Sequence, residues 1–334
     1  MVNVVINGRT IGPGHPAYVI AEIGFNHGGD VQLGLDMIDG AAEAGVDAVK
    51  FQTFRANRLT LESWEHFQVI KHGELGLDDH VKLAERSRER RLDFFSTPFC
   101  SDSFRLLEEV GVPVYKIASM DVTYIPLIRE VAATGKPILL STGMATLAEI
   151  GYAVDAALNA GGDQLVLLHC ISKYPPSADE ANLRTMTQIS EAFGLPVGYS
   201  DHVLGNTVAL ASIALGACVL EKHFTIGKDL PGPDHAISAD ITQMRALVES
   251  IRELESAFGS RCADTSRPDR SQAAVMRRGL YAARDLKAGD VIGTDDVLCV
   301  RPENSMKPTQ LESVQGQPVA ADIKAEAPLS IKSV

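Results

Sequence analysis

The sequence predicts a (β/α)8, or TIM, barrel followed by a small β-rich domain. Two observations carry the barrel: eight short, nearly continuous apolar runs, and stretches of helical spacing between them. A change of texture after Gly259 carries the second domain. The runs are Ala17–Glu22, Val46–Gln52, Leu92–Thr97, Val112–Ser119, Pro137–Ser141, Gln164–His169, Pro196–Ser200 and Ala217–His223. Such runs suit parallel strands buried on both faces. Leu33, Leu35, Met37, Ile38 and Ala41 share one face of the first intervening helix, and Met244, Leu247, Val248, Ile251 and Leu254 one face of the last. Alternation repeated eight times in about 260 residues fits a closed barrel. An open doubly wound sheet seldom needs eight such units, and no GxGxxG follows the first run.

Residues 1–259 are assigned to the barrel, 260–275 to a linker and 276–334 to the small domain. Ser260–Gln272 is polar and without periodicity. Beyond it, GLYAARDL, DVIGTDDVLCVRP, QPVAADI and APLSIKSV read as strand-like pieces separated by KAGD, ENSMKP and KAEA. A β-rich domain of about 60 residues has a meagre core alone, so it is expected to dock on something.

The bulk numbers exclude several classes. With 334 residues, 45% hydrophobic and 22% charged, the chain has the ordinary composition of a globular protein. A net charge of −12 argues against nucleic acid or an anionic membrane as the main partner. Five cysteines without a CxxC pair point to a reducing cytoplasm. The first residues lack a secretion signal, and no apolar run reaches the length of a membrane span.

The C-terminal ends of barrel strands are where side chains meet the active site. Here they end, in order, in Glu22 with Asn26 and His27, then Lys50 and Gln52, then Ser96 and Thr97. Next come Lys116, Ser119 and Asp121; Ser141 and Thr142; and His169 with Ser172 and Tyr174. The last two bring Ser200, Asp201 and His202, and Glu221, Lys222 and His223. So many polar groups at one mouth are costly to bury unless a ligand or mutual pairing satisfies them. Lys50 and Lys116, with Ser119, Ser141 and Ser200, make a site for a phosphate plus a carboxylate. The bland alternative pairs each lysine with Glu22, Glu221 or Asp121. His202 and His223 end adjacent strands and suit Mn²⁺, Co²⁺ or Zn²⁺, or else are two hydrogen-bonded core histidines. His169 is a weaker ligand candidate. The rigid loop Lys228–Ser238 holds Asp234 over the mouth, and the segment carrying Trp64, His66, Phe67, Lys71 and His72 is expected to shape the pocket.

These segments resemble the sialic acid synthase family, the nonulosonic acid synthases. The matching motifs are AEIGFNHGG (21–29), AVKFQTF (48–54), FFSTPF (94–99), YKIAS (115–119), LLSTGMAT (139–146), LHCISKYP (168–175), VGYSDH (197–202), EKHFT (221–225) and LPGPDH (230–235). RRGLYAARDLKAGDVI…VRPE (277–303) resembles that family's antifreeze-like (SAF) domain. The resemblance implies condensation of phosphoenolpyruvate with N-acetylmannosamine or a close amino-sugar aldehyde, giving a nine-carbon keto acid and phosphate. It implies that Lys50, Lys116, Ser119, Ser141 and Ser200 hold phosphoenolpyruvate and that Glu22, with the two lysines, is catalytic. His202 and His223 would bind a divalent metal, Mn²⁺ first, with Mg²⁺ or Co²⁺ as alternatives. Gln52, Asp121, Tyr174 and Asp234 match sugar-contacting positions. Arg301 matches an arginine that enters the other subunit's site, which implies a domain-swapped homodimer.

Departures from the N-acetylneuraminate pattern leave the sugar open. Ser172 and Asp121 replace a frequent asparagine and glutamate, and the loop after the second run lacks a clear sugar-contacting asparagine. MDVTY and ISKYPP resemble the legionaminic, pseudaminic and spore-coat branches, whereas LPGPDH leans to the sialic or legionaminic one. Two rivals are a Schiff-base aldolase using Lys50, Lys116 or Lys222, and a non-catalytic sugar-binding protein.

Overall fold

The computed structural model describes residues 3–259 and 268–332. Two compact units divide the chain, Met1–Phe258 and Gly259–Val334.

The first unit opens with a hairpin absent from the expectations above. Strands β1 (Val4–Ile6) and β2 (Arg9–Ile11) pair antiparallel through Asn7 and Gly8, both at positive φ. Asn-Gly between alternating apolar residues is a strong hairpin signal. Val4, Ile6 and Ile11 are buried in the main core, and the hairpin reaches the N-terminal ends of the barrel strands through polar contacts. Asn7 donates to Asp93, Arg9 to Asp47, and Val5 N–H to Gln164. The hairpin therefore covers the end of the barrel opposite the candidate site.

All eight expected strands form: β3 (Tyr18–Gly24), β4 (Ala48–Thr53), β5 (Asp93–Pro98), β6 (Tyr115–Ile117), β7 (Ile138–Ser141), β8 (Leu165–Cys170), β9 (Val197–Asp201) and β10 (Val219–His223). Their order is β5–β4–β3–β10–β9–β8–β7–β6, and every ladder is parallel. The end strands β5 and β6 also pack together, which closes the ring. Nearly every strand residue is buried, as continuous apolar runs require. Helix Val31–Ala44 buries Met37, Ile38 and Ala41; Ile241–Phe258 buries Met244, Leu247, Val248 and Ile251. No helix among the described residues is long and apolar enough to cross a membrane.

The second unit has its own small core of Leu280, Leu286, Ile292, Met306, Val314, Val319, Ile323 and Leu329. Only β11 (Gly279–Ala282) and β12 (Val297–Val300) form a named ladder among the described residues. The other strand-like pieces are reduced to single bridges, two of them at Pro318 and Pro328. Proline has no N–H to donate, so it cannot extend a ladder. Part of the expected linker is helical: Pro268–Gln272 and Ala273–Met276 form two short turns, while 260–267 lie outside the described residues.

Candidate active site

Parallel register builds the floor of the barrel mouth. Glu22 of β3 stands beside Lys50 of β4 and His223 of β10, and Glu221 beside Ser200 of β9. Lys50 Nζ lies 2.9 Å from Glu22 and 3.6 Å from Glu221, and Lys116 Nζ lies 3.9 Å from Glu221. Lys50 also donates to Thr97 at 3.1 Å, and the Ser200 hydroxyl donates to Glu221 at 3.0 Å. All of these side chains are buried. The lysines are thus paired, as the bland reading has it, and both line a cavity of about 1320 Å³.

The two carboxylates are driven apart. Burial pushes the Glu22 carboxyl up toward neutrality, and the Glu221 charge adds to this against the pull of Lys50. Burial opposes ionisation of Glu221 as well, but Lys116 and Lys50 overcome it and hold that carboxyl well below its usual range. Burial lowers the pKa of Lys116, whereas Glu22 and Glu221 outweigh the same burial at Lys50 and raise its pKa. Lys50 and Lys116 are the two ammonium groups that this floor offers to an anion. Ser141 Oγ, buried without a hydrogen-bond partner among the described residues, is a hydroxyl left for the same ligand.

The histidines sit together at the rim, ring centroids 5.2 Å apart, with the Tyr174 ring tilted against His202 at 4.2 Å. His202 Nδ1 lies 2.9 Å from the Ile171 carbonyl oxygen. A carbonyl only accepts, so Nδ1 carries a proton and Nε2 is the nitrogen left for a ligand. His223 Nδ1 is buried without a hydrogen-bond partner, and burial, then His202, bring its pKa down to about 3. A divalent cation takes the lone pair of a neutral imidazole, which His223 supplies. Burial lowers the pKa of His202, but Cys170 and the Ile171 carbonyl oxygen outweigh it and raise it, so an ion there would displace a proton. Among the described residues no three His, Cys, Asp or Glu side chains form a ready cage. The fit is therefore to an ion with two protein ligands and open positions. His169 is occupied otherwise, 2.7 Å from the Ala181 carbonyl oxygen.

Glu22, Lys50, Gln52, Lys116, Ser119, Ser141, Tyr174, Ser200, His202, His223 and Asp234 all line the one cavity. Gln52 donates to Glu22 at 3.3 Å, and Asp234 approaches His223 Nδ1 at 3.8 Å. Two expected residues stand elsewhere. Asp121 is buried outside the cavity wall, because it closes a 3-10 turn, Ser119–Asp121, that carries it off the face of Ser119. Burial raises its carboxyl to about 6 against the pull of Lys116. Arg301 lies exposed in the second unit. Lys222 is tied down by Asp201 at 2.6 Å and is absent from the lining, which removes it as a cavity nucleophile.

Sequence reasoning missed Cys170, Met120 and Met144 in the lining, since nothing in their spacing sets them apart from core residues. It also left Gly143 unremarked. The Gly143 N–H donates to Ser119 Oγ at 3.0 Å, and a Cβ there would stand 2.7 Å from that oxygen and 2.5 Å from Ser172 Oγ. Gly143→Ala is expected to displace Ser119 and raise the KM for its anionic ligand roughly tenfold, the loss of one hydrogen bond to a charged group. An unchanged KM would show that Ser119 does not touch that ligand.

The NeuB family profile matches residues 37–263, and the SAF domain profile matches 277–334. The chain belongs to the NeuB family. Among its relatives is the N,N'-diacetyllegionaminic acid synthase of Legionella pneumophila, 38% identical over 97% of this chain and 96% of that protein. The pseudaminic acid synthase of Helicobacter pylori is 31% identical over 96% and 98%. The crystal structure of the N-acetylneuraminic acid synthetase of Leptospira borgpetersenii in complex with citrate superposes with a TM-score of 0.77. It is 34% identical and covers 81% of this chain and 95% of that one. The NeuB signature thus spans most of the barrel, and the SAF signature spans the small unit.

Proposed function

We propose that the chain condenses phosphoenolpyruvate with N-acetylmannosamine or a close amino-sugar aldehyde, forming a nine-carbon 2-keto acid and inorganic phosphate. The observation that carries this reading is the four-ion floor, where Lys50 and Lys116 stand buried beside Glu22 and Glu221 and bring two ammonium groups to the cavity lining. Family membership supports it, as does the citrate, a polycarboxylate, in the Leptospira relative.

Lys50 and Lys116 bind the phosphate and carboxylate of phosphoenolpyruvate, and Ser119, Ser141 and Ser200 take further oxygens. The enol carbon forms the new bond to the aldehyde carbon. Water then adds at C2, and Glu22 takes one of its protons and passes it to the oxygen left negative when the aldehyde π bond opened. Phosphate departs with the bridging oxygen and the second proton as the C2–O bond breaks. Glu221 stays ionised and keeps both lysines charged and in place. Gln52, Tyr174 and Asp234 orient the sugar; Asp121, outside the wall, is given no contact. A divalent cation on His202 and His223, Mn²⁺ first and Mg²⁺ or Co²⁺ as alternatives, would supply Lewis-acid polarisation of the aldehyde. A homodimer in which Arg301 serves the neighbouring subunit, and residence in the cytoplasm, belong to the same proposal. The exposure of Arg301 and the free thiols Cys100, Cys170, Cys218 and Cys299 support them.

The test is phosphate release from phosphoenolpyruvate with Mn²⁺ and an amino-sugar acceptor. Release should require the sugar, stop with EDTA and return with added Mn²⁺. Oxygen-18 placed in the bridging position should leave with phosphate. A borohydride-trapped adduct formed from pyruvate would replace this reading with the aldolase, whose remaining candidate is Lys116, the lysine with the lowered pKa.

A further inference from the structure

Resting on the divalent cation of the condensation proposed above, we propose that Lys222 is a positioning residue. Its ammonium group holds the residues on both sides of His202 and so sets that histidine against His223 for the cation.

The sheet alone does not fix the two histidines against each other. The ladder between β9 and β10 ends at the register pair Lys222 and Asp201, and β9 ends there too. His202 therefore lies one residue past its strand. His223, the last residue of β10, still registers with Glu22 of β3. Its carbonyl oxygen also accepts the Ala239 N–H at 2.8 Å. One histidine is thus held by the ring of strands, while the other stands at the start of a loop.

Lys222 supplies what the ladder lacks. Successive strand residues face opposite ways, so Lys222, between the cavity-lining Glu221 and His223, turns away from the cavity. There Nζ donates to Asp201 Oδ2 at 2.6 Å and to the Val203 carbonyl oxygen at 2.8 Å. The other carboxylate oxygen of Asp201 accepts the Val203 N–H at 3.0 Å. One ion pair thereby engages both backbone polar groups of Val203. The side chains of Lys222 and Asp201 are 5% and 0% exposed, so water scarcely screens the pair.

Asp201 and Val203 flank His202 in the chain, and Lys222 directly precedes His223. The ammonium group therefore ties the backbone that carries one imidazole to the strand that carries the other. The His202 ring is held separately, by the Ile171 carbonyl oxygen 2.9 Å from Nδ1. Ring and backbone together give Nε2 a set direction. Groups behind a ligand that fix its orientation are typically worth ten- to a hundredfold in metal affinity. With two protein ligands, no third side chain makes up for one that drifts.

The experiment titrates the full chain with Mn²⁺ alone, reading free Mn²⁺ by electron paramagnetic resonance. Phosphoenolpyruvate binding is measured separately by calorimetry, without metal. Lys222→Met should weaken Mn²⁺ binding roughly 10–100-fold and leave the Kd for phosphoenolpyruvate unmoved. That change strands the Asp201 carboxylate, so the double variant Lys222→Met with Asp201→Asn, which removes both charges, is measured beside it. It should lose Mn²⁺ affinity to the same extent. Wild-type Mn²⁺ affinity in either folded variant overturns the positioning role and leaves the condensation standing. So does an equal loss for Mn²⁺ and phosphoenolpyruvate, which would make the ion pair a support of the barrel as a whole. If wild type binds phosphoenolpyruvate but no Mn²⁺, the two-histidine metal site of the proposed function falls, and this role with it.

Discussion

Glu22→Gln is expected to slow condensation roughly 10²–10⁴-fold, the usual worth of a positioned proton acceptor, while phosphoenolpyruvate still binds. Glutamine keeps the shape and can still meet Gln52, but it cannot take a proton from the water adding at C2. The pH profile gives a second reading of the same group. Burial raises the Glu22 carboxyl above its ordinary value of 4.5. A base with a raised pKa is lost as pH falls through that raised value, so the acid limb of kcat should lie above the common carboxylate range and vanish in the variant. Steady-state kinetics across pH, with calorimetric binding of phosphoenolpyruvate, checks both. If turnover survives, the water-activating role falls and the anion site stands.

Glu221→Ala carries the largest expected effect on stability. Glu221 is the carboxylate that both lysines share, at 3.6 and 3.9 Å, and its side chain is only 7% exposed. Removing one partner of a buried ionic cluster leaves uncompensated charge and costs roughly 3–5 kcal/mol. For a unit this large that corresponds to a Tm loss on the order of 10 °C. Glu22 then faces both lysines without a competing carboxylate, so its own pKa should fall and soften the loss. An anion should soften it further: phosphate or phosphoenolpyruvate should raise the Tm of Glu221→Ala more than that of wild type, because it restores the missing countercharge. Thermal unfolding with and without these anions is the measurement. Equal anion stabilisation of both proteins would show that the lysines do not form the anion site.

Much of this was legible before any coordinates. Period and length of the apolar runs determined eight buried parallel strands, because a strand covered on both faces can afford few polar positions along its middle. Polar residues therefore had to gather at the ends, and Glu22, Lys50, Lys116, Ser200, His202 and His223 announced themselves by breaking the apolar pattern. The Asn7–Gly8 hairpin was not among the expectations, although its turn residues carry the signal for it.

Other features belonged to the tertiary structure alone. The ring sets β10 between β3 and β9, and so places Glu221 against Ser200 and close to lysines on β4 and β6. No local spacing carries that closure. The opposite shifts of Glu22 and Glu221 depend on which carboxylate lies nearer both ammonium groups, a matter of ångströms. Asp121 matched a motif, yet one 3-10 turn removed it from the wall. The segment 55–76 has no periodicity to read, and only its tethers, Glu74 on the Ala56 N–H and His80 on the Gly76 carbonyl oxygen, make its apolar residues one surface. Pattern determines which residues are buried or exposed, because transfer from water acts on each side chain singly. Which buried charges meet is a property of pairs, and only the closed barrel decides the pairs.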